Sequence, residues 1–455
     1  MNLTPMLKPK SVAIIGASRN PDKVGNIILQ NYLSVGYSGK LYPVNLNAEE
    51  VLGLKAYKSV LDIGKDVDLA VIAIPAPAVH IALEQCGKAG VKSAIVVSGG
   101  FAEIGEKELQ DKLTAIARKY NMPTLGPNCL GVVDTRSRTD TMFLPSYKIS
   151  HPQVGFVSFV SQSGAVGSTV LDVIGGEGFG LSKFISYGNA ANIDEVDILE
   201  YLMNDNETKV IVLYIEGLKR PKEFVELARK ITKKKPVVVL KAGRTSAGVS
   251  AARSHTASLA GNYAAHEAVF RQFGFTVAND LSELLYFTKI FASETAPSGP
   301  RVAVITNGGG AGVLSADAIA SSKHLKMAEY TDATKKALRK VMPKLVNIAN
   351  PLDLAGDADK KRYGDAISLV SNDPNIDMIL LIVLFQTPGA DSAVAAEVIH
   401  LKETLNKPIV VMSVGTAYTQ TQKIQLESGG VPVYDSPAAI VNSLEALFQY
   451  AEYRK

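Results

Sequence analysis

Residues 11–25 read SVAIIGASRNPDKVG, an apolar run followed by a turn and the start of a helical pattern. A short β-branched run before such a turn is typical of a parallel strand that leads into a helix, whose N-terminus can hold phosphate. The turn lacks GxGxxG spacing, because Ser18 stands where the second glycine of a dinucleotide site would be. Arg19 and Lys23 add positive charge. The pattern favours a ligand with more phosphate than NAD carries, although a strand-to-helix turn without a ligand stays open.

The same rhythm of apolar run, turn and helical stretch recurs along the 455-residue chain. The strand-like runs fall into three groups: 11–15, 69–74 and 94–98; 154–160, 210–214 and 237–240; and 301–306, 378–385 and 409–413. This alternation predicts an α/β protein with three doubly wound domains. Polar, proline-containing stretches at 135–152 and 294–300 suggest domain limits at 1–140, 141–296 and 297–455.

Composition excludes several classes of partner. The net charge is +4, from 48 basic and 44 acidic residues spread through the chain, so no dense basic face for nucleic acid is expected. The two cysteines lie far apart, which predicts neither a disulfide framework nor a metal site and fits the reducing cytoplasm. No apolar run approaches the ~20 residues of a membrane span, so no membrane partner is expected.

A second turn and a histidine-containing segment point to phosphoryl chemistry. The strand-like run 154–160 leads into SQSGAVG at 161–167, where hydroxyls and backbone amides open a helix and can cradle an anion. His255 lies among hydroxyl residues in RSHTASLAG at 253–261. An imidazole accepts a phosphoryl group when a carboxylate orients it, and Glu216, after the run 210–215, is the candidate. A serine hydrolase is disfavoured, because SQSGA is not the GxSxG elbow.

Seven motifs occur in one order: GASRNPDKVG, IPAPAV, GGFAEIGE, GPNCLG, SQSGAVG, IEGL and SHTASLAG. Together they resemble the α subunit of ADP-forming acyl-CoA synthetases, the acetate–CoA ligase relatives of succinyl-CoA synthetase, over nearly the whole chain. The resemblance implies a Rossmann-like CoA-binding domain followed by two flavodoxin-like ligase domains. It also implies a reversible conversion of acyl-CoA, ADP and phosphate into carboxylic acid, ATP and CoA.

The resemblance assigns roles residue by residue. It makes His255 the phosphorylated histidine and Glu216 the carboxylate that orients it. The phosphate-binding residues of the second domain would be Ser161, Ser163 and Gly164. The CoA-binding residues would be Gly16, Ser18, Arg19, Lys23, Gly25, Pro75, Ser98 and Asn128, with Phe101 as a wall for a small acyl group. Ala257 departs from the family's usual glycine after the His-Thr pair, which would stiffen that segment slightly.

The third domain resembles the C-terminal domain of succinyl-CoA synthetase β chains, here fused to the α chain. Its turn Asn307, Gly308, Gly309 and Gly310 would supply a second phosphate cradle, although a purely structural tight turn stays open. No segment resembles an ATP-grasp domain, so ADP or ATP and Mg²⁺ are expected on a separate β subunit, in an α2β2 complex. The alternatives are a fused acetyltransferase, which needs another ~150-residue domain, and a non-catalytic protein that binds CoA or NAD(H) and regulates.

Overall fold

The computed structural model describes residues 1–64, 66–176, 179–248 and 263–455. The chain divides into two units, one comprising Met1–Gly176 and Gly180–Leu281 and the other built from Ser282–Lys455. Among the described residues, the first unit contains a five-stranded sheet, a seven-stranded sheet and a two-stranded hairpin, and the second unit contains a six-stranded sheet. The nine apolar runs that the sequence pattern marks supply three strands to each of the large sheets, and the other strands were not predicted.

The first sheet consists of five parallel strands in the order β2-β1-β5-β6-β7. Its strands, with the hairpin β3-β4, are Ser11–Ile15 (β1), Lys40–Val44 (β2), Glu50–Val51 (β3), Leu54–Lys55 (β4), Leu69–Ile72 (β5), Ser93–Val96 (β6) and Thr124–Leu125 (β7). The helices are Thr4–Leu7 (α1), Val24–Ser34 (α2), Ala76–Lys88 (α3) and Lys107–Lys119 (α4). The central strands are buried throughout because parallel sheets are covered on both faces.

The second sheet has the order β14-β13-β12-β10-β11-β8-β9, with β8 and β9 antiparallel at one edge. Its strands are Gly131–Asp134 (β8), Thr139–Asp140 (β9), Val154–Ser161 (β10), Leu181–Ser186 (β11), Val210–Ile215 (β12), Val237–Lys241 (β13) and Thr276–Ala278 (β14). The helices described with it are Gly164–Gly176 (α5), Glu195–Asn204 (α6), Pro221–Lys234 (α7) and Tyr263–Gln272 (α8).

The third sheet is parallel and has the order β16-β15-β18-β19-β20, with β17 paired to β15. Its strands are Arg301–Thr306 (β15), Lys326–Met327 (β16), Leu352–Asp353 (β17), Met378–Ile382 (β18), Ile409–Met412 (β19) and Val433–Tyr434 (β20). The remaining helices are Leu281–Ser293 (α9), Gly309–Ser321 (α10), Asp332–Val341 (α11), Lys360–Ser371 (α12), Ser392–Lys402 (α13), Ala417–Ser428 (α14) and Pro437–Arg454 (α15). Along the described stretches, no helix is both long and apolar enough to cross a bilayer.

These sheets confirm the predicted α/β class, with a Rossmann-like domain followed by two flavodoxin-like domains. The predicted limit at residue 140 falls after β8 and β9, although both strands belong to the second sheet. The reason is that β8 pairs antiparallel with β11, the last strand of the parallel part of that sheet. One apolar cluster also joins the first two sheets, running from Val12 and Val97 to Ile185 and Ile211. The limits 1–140, 141–296 and 297–455 therefore remain a prediction.

The strand order of each sheet indicates the edge at which a ligand is expected to bind. The order changes direction between β1 and β5 in the first sheet, between β10 and β12 in the second, and between β15 and β18 in the third. In open α/β sheets, ligands bind outside the carboxyl ends of the strands at this change of direction. The turns after β1, β10 and β15 are those that the sequence analysis selected.

A buried lysine ties the second sheet together at a distance from these turns. The Lys183 Nζ lies 2.8 Å from a carboxylate oxygen of Asp205, 2.9 Å from Glu207 and 3.3 Å from Asp134. Lys183 and Asp134 are fully buried. Burial alone would raise the pKa of Asp205, but hydrogen bonds from Lys183 and Thr208 outweigh it and lower that pKa. The ammonium therefore balances several carboxylates at once.

Replacing Lys183 with methionine is expected to destabilise the first unit by about 3–5 kcal/mol, because buried carboxylates lose their counter-charge. Denaturant unfolding followed by circular dichroism measures the effect. Lys119→Met serves as the control, since its ion pair with Glu84 is exposed and should leave the midpoint nearly unchanged. A Lys183→Met midpoint equal to that of the control would contradict a stabilising role.

Candidate functional site

Two glycines, Gly16 and Gly25, shape the turn after β1. Any other residue at either position would displace the neighbouring backbone. Gly16 has φ of +98°, and a Cβ there would lie 2.4 Å from the carbonyl oxygen of Ala73. A Cβ on Gly25 would lie 2.1 Å from the Gly16 oxygen. Helix α2 therefore starts directly against the turn. Its N-cap residue Lys23 makes no side-chain cap, which leaves first-turn amides for an anion.

A cavity of about 630 Å³ lies at this edge of the first sheet. Its lining includes most of the predicted CoA-binding residues: Gly16, Ser18, Lys23, Gly25, Pro75, Ser98 and Asn128. Arg19 and Phe101 are not among the described residues that line it. Arg19 is exposed, whereas Phe101 is buried in the apolar cluster of the first sheet. The volume lies within the usual range for sites that hold cofactor-sized ligands.

Two of the lining residues, Asn45 and Phe143, lie outside the strands and turns for which a ligand was predicted. Asn45, which directly follows β2, donates to the Ala17 carbonyl at 2.6 Å and could have been found by the rule for strand ends. Phe143 also lines the cavity, although it follows β9 of the second sheet. The Asn31 Nδ2 donates to the carbonyls on both sides of Phe143, of Met142 at 2.8 Å and Leu144 at 3.0 Å. Asn31 and Met142 are 111 positions apart, so no local sequence motif predicts this contact.

A network of hydrogen bonds stabilises the part of the cavity wall that contains Ser98 and Asn128. The Ser98 hydroxyl donates to the Ile74 carbonyl at 2.6 Å. The backbone amide of Asn128 donates to the Ser98 carbonyl at 2.9 Å. The Asn128 side chain donates to Asn189, which donates to Glu103 at 2.5 Å. Burial alone would raise the pKa of Glu103. Hydrogen bonds from Asn189 and from backbone amides outweigh burial, so the pKa lies below its ordinary value. The wall therefore includes a charged carboxylate behind Asn128.

The turn after β10 forms the second part of the candidate site. Ser161 is fully buried, and its hydroxyl donates to the Ser163 carbonyl at 2.7 Å. The Ser163 hydroxyl accepts from the Val166 amide at 3.4 Å, at the start of helix α5. Both hydroxyls therefore shape the turn. Gly164 begins the helix, so first-turn amides are the donors best placed for a phosphate.

Glu216 lies beside this turn and is only 4% exposed. The Gln162 side-chain oxygen accepts hydrogen bonds from the amides of Glu216, at 2.8 Å, and Gly217, at 3.2 Å. On the other side, the Lys241 Nζ donates to the Glu216 carbonyl at 2.8 Å. No role was predicted for Gln162, and the predicted strand ended before Lys241, so both contacts were missed. His255, the predicted partner of Glu216, lies outside the described residues.

The turn after β15 in the second unit has a similar form. The Thr306 hydroxyl donates to the Gly308 carbonyl at 3.0 Å, and the Asn307 side chain donates to the Leu384 carbonyl and the Thr387 hydroxyl. The Asn307 side chain is thus engaged within the protein. A Cβ on Gly309 would lie 2.8 Å from an Asp353 carboxylate oxygen. The Gly308 amide donates to the Thr306 hydroxyl at 2.9 Å. A phosphate contact by this predicted cradle would therefore use the backbone amides of Gly309 and Gly310, close to the Asp353 carboxylate.

The described ranges contain no group of three His, Cys, Asp or Glu residues placed to hold a metal ion. The groups that the described residues bring to the site are backbone amides, hydroxyls, carboxamides, the Glu103 and Glu216 carboxylates and the Lys23 and Lys241 side chains. Such groups bind and orient anionic substrates.

The chain is similar to known proteins over nearly its whole length. Three family models match: the CoA binding domain over residues 10–135, the succinyl-CoA ligase like flavodoxin domain over 154–291 and the Ligase-CoA domain over 302–453. The α subunit of acetate–CoA ligase (ADP-forming) II from Pyrococcus furiosus is 41% identical, over 98% of this chain and 97% of that subunit.

Longer relatives and a solved structure are also similar. The acetate–CoA ligase (ADP-forming) of Methanocaldococcus jannaschii is 41% identical over 97% of this chain, which spans 62% of that protein's length. The dinucleotide-forming acetyl-CoA synthetase 1 of Ca. Korarchaeum cryptofilum, solved with phosphate and ADP, has a TM-score of 0.93 and 36% identity. The match covers 100% of this chain and 97% of that one.

Proposed function

The chain belongs to the family of ADP-forming acetate–CoA ligases, and from this we propose that it binds acyl-CoA and carries the phosphoryl group in such an enzyme. The proposed reaction converts acyl-CoA, ADP and phosphate reversibly into a carboxylic acid, ATP and CoA. The observation that carries the proposal is the buried Glu216 carboxylate, whose backbone is held by the turn that opens helix α5. A buried, fixed carboxylate is the group that an imidazole needs to accept a phosphoryl group.

CoA is proposed to occupy the cavity at the edge of the first sheet. The match to the CoA binding domain supports this, as does the close fit of Gly16 and Gly25 against the neighbouring backbone. That fit brings the start of helix α2 directly against the turn, where its first amides are proposed to bind the pyrophosphate. Lys23 is the cavity residue that adds positive charge for a further phosphate.

The first chemical step is proposed to take place at the turn after β10. An oxygen of inorganic phosphate attacks the thioester carbon of acyl-CoA, the carbon–sulfur bond breaks, and CoA leaves with acyl phosphate remaining. The amides that start helix α5 are the proposed donors to the phosphate oxygens. Ser161 and Ser163 keep these amides in place through their hydrogen bonds within the turn.

The second step transfers the phosphoryl group to this chain. A ring nitrogen of His255 attacks phosphorus, the bond to the acyl oxygen breaks, and the carboxylic acid is released. Glu216 is proposed to accept a hydrogen bond from the other ring nitrogen, which keeps the attacking nitrogen free. An oxygen of the ADP β-phosphate then takes the phosphoryl group and restores His255.

The nucleotide site is proposed to lie on a partner, an ATP-grasp β subunit in an α2β2 complex. The naming of similar proteins as α subunits supports a partner of some kind. None of the glycine-rich turns of the sequence has the Lys and Ser/Thr of a P-loop. Magnesium bound with ADP on the partner would neutralise phosphate charge.

Labelled phosphate provides the test of this function. The chain, with its partner subunit, is incubated with acetyl-CoA and labelled phosphate, and the protein is analysed for acid-labile label. Label on His255 is expected. CoA binding without any label would contradict the proposal and favour a non-catalytic protein that binds CoA and regulates.

Lys23→Ala is expected to weaken binding of CoA by roughly tenfold or more, but to affect dephospho-CoA much less. The reason is that a charge-assisted contact to the extra phosphate is worth ~1.5–3 kcal/mol. Isothermal titration calorimetry with both ligands measures the difference. Arg19→Ala, at a residue outside the cavity lining, should produce the smaller effect of the two. Equal weakening of both ligands by Lys23→Ala would mean that Lys23 serves only the pyrophosphate or the fold.

A further inference from the structure

Phe143 is the one aromatic residue among the described residues that line the cavity at the edge of the first sheet. It is half-buried and packs against the apolar cluster that joins the first two sheets. The Asn31 side chain, which is 1% exposed, donates to the carbonyls of Met142 and Leu144 on either side of it. The backbone that carries the Phe143 ring is therefore fixed in the cavity wall.

Phe143 and Phe101 lie on opposite faces of the first sheet. Successive residues of a strand point to opposite faces. Ile14 of β1 belongs to the cluster that Phe143 packs against, whereas Ile15 belongs to the cluster that contains Phe101. The cluster of Phe143 also includes Ile185 of the second sheet. Phe143 therefore lies on the face that the second sheet covers, and Phe101 does not.

The end of the cavity at Asn128 adjoins the proposed phosphate turn of the second sheet. A Cβ on Gly188, after β11, would lie 2.2 Å from the Asn128 carbonyl oxygen. A Cβ on Gly164, the first residue of helix α5, would lie 3.3 Å from the Leu130 side chain. If phosphate attacks the thioester at this turn, the acyl end of the ligand belongs at this end of the cavity.

Phe143 lies beside this end of the cavity. Strands β8 and β9 are antiparallel, and directly after β9 the Thr141 amide donates to the Val132 carbonyl at 2.9 Å. Two residues further along each antiparallel segment are Phe143 and Leu130, so this register places them opposite each other. Lys23, the proposed phosphate contact of CoA, follows β1, which β5 and β6 separate from β7. The ring is therefore closer to the acyl end than to the phosphate end.

We infer that Phe143 is a specificity-determining residue whose ring bounds the space for the acyl group and restricts the substrate to a short aliphatic acyl-CoA. The inference rests on the proposed function, because it takes acyl-CoA as the ligand of this cavity. Phe143 has the largest apolar side chain among the described lining residues, so it determines how much room remains beside the thioester. One methylene group in an apolar pocket changes kcat/KM by about 10–200-fold between substrates.

Two substitutions of opposite size test the inference in the chain with its partner subunit. Phe143→Ala is expected to raise kcat/KM for hexanoyl-CoA relative to acetyl-CoA by at least about tenfold, because removal of the ring makes room for methylene groups. Phe143→Trp adds volume and should lower kcat/KM for butyryl-CoA relative to acetyl-CoA by about threefold or more. A general loss of stability cannot produce opposite shifts. A Phe143→Ala ratio within about twofold of the wild-type ratio would overturn the inference.

Phe101→Leu is the matched control. Phe101 is 1% exposed and belongs to the cluster on the opposite face of the same sheet. Its truncation should lower the thermal midpoint of the chain, because packing is lost, and should leave the preference among the three acyl-CoA substrates unchanged. A change of preference in the control equal to that in Phe143→Ala would show that the cavity responds to any loss of packing, and the assignment to Phe143 would fail.

Calorimetry on the full chain separates this inference from the proposed reaction. The wild-type chain is expected to bind acetyl-CoA more tightly than hexanoyl-CoA, and Phe143→Ala should reduce or reverse that difference. If the wild-type complex forms no ATP, the proposed reaction fails, and the binding preference still decides the role of Phe143. If Phe143→Ala does not fold, Phe143→Leu takes its place, and a wild-type preference in that variant overturns the inference. If the wild-type chain binds neither ligand, the proposed CoA cavity and this inference fail together.

Discussion

Replacing His255 with alanine is expected to abolish acyl-CoA-dependent ATP formation, by at least about 10³-fold, and to leave CoA affinity nearly unchanged. Loss of a nucleophile removes the covalent route entirely, and what remains is the small rate that binding groups alone provide. CoA affinity should survive because the proposed CoA cavity belongs to the first sheet, whereas Glu216 follows β12 of the second. Coupled-enzyme kinetics and calorimetry measure the two quantities.

His324→Ala is the control for this experiment. His324 lies in the second unit, is nearly half exposed and is 3.8 Å from a Glu445 carboxylate oxygen. Its removal should leave turnover unchanged. Retention of more than a small fraction of ATP formation by His255→Ala would refute the phosphohistidine route, whatever the CoA affinity. Loss of CoA affinity together with turnover would point to a damaged fold.

The chain without its partner is expected to form no ATP and to bind ADP undetectably. Its glycine-rich turns offer helix-end amides, which suit a single phosphoryl group, but no P-loop lysine for a nucleotide polyphosphate. Equilibrium binding of ADP and ATP formation from acetyl-CoA and phosphate are measured first on the purified chain. The β subunit is then added and both measurements are repeated.

Restoration of turnover only on mixing would support the proposal that this chain carries the phosphoryl group and that the β subunit binds the nucleotide. Phosphorylation of the lone chain from acetyl-CoA and phosphate is compatible with it, since those steps are assigned to this chain. Tight ADP binding or ATP formation by the lone chain would contradict it. A His255→Ala chain mixed with the same β subunit is the matched control, and it should restore neither label nor ATP.

Much of the fold follows from local pattern. The β-branched runs that become β1, β10 and β15 are each followed by a turn of small residues and a helix, and the structure has each strand within one or two residues of its run. Periodicity detects such elements because a parallel strand is buried on both faces and therefore reads as a continuous apolar run. The family resemblance added the order of the domains, which the three matching family models repeat.

The candidate site followed from sequence only in part. Strand ends are visible locally, so Gly16, Gly25, Ser98 and Asn128 could be placed at the edge that now carries the cavity. Phe101 follows the same strand end as Ser98 yet is buried in the apolar cluster. Local position does not decide whether a side chain turns to the cavity or to the core. Packing by neighbouring helices decides it.

The sequence by itself determined where the strands, turns and glycines lie, because those depend on neighbouring residues and on a backbone that tolerates no Cβ at Gly16 or Gly25. Only the tertiary structure decided which side chains hold Glu216. Gln162 lies 54 positions away and Lys241 lies 25 positions away. They meet Glu216 because β10, β12 and β13 are adjacent in one register. Register is a property of the whole sheet, set by hydrogen bonding and burial between strands, and no single segment encodes it.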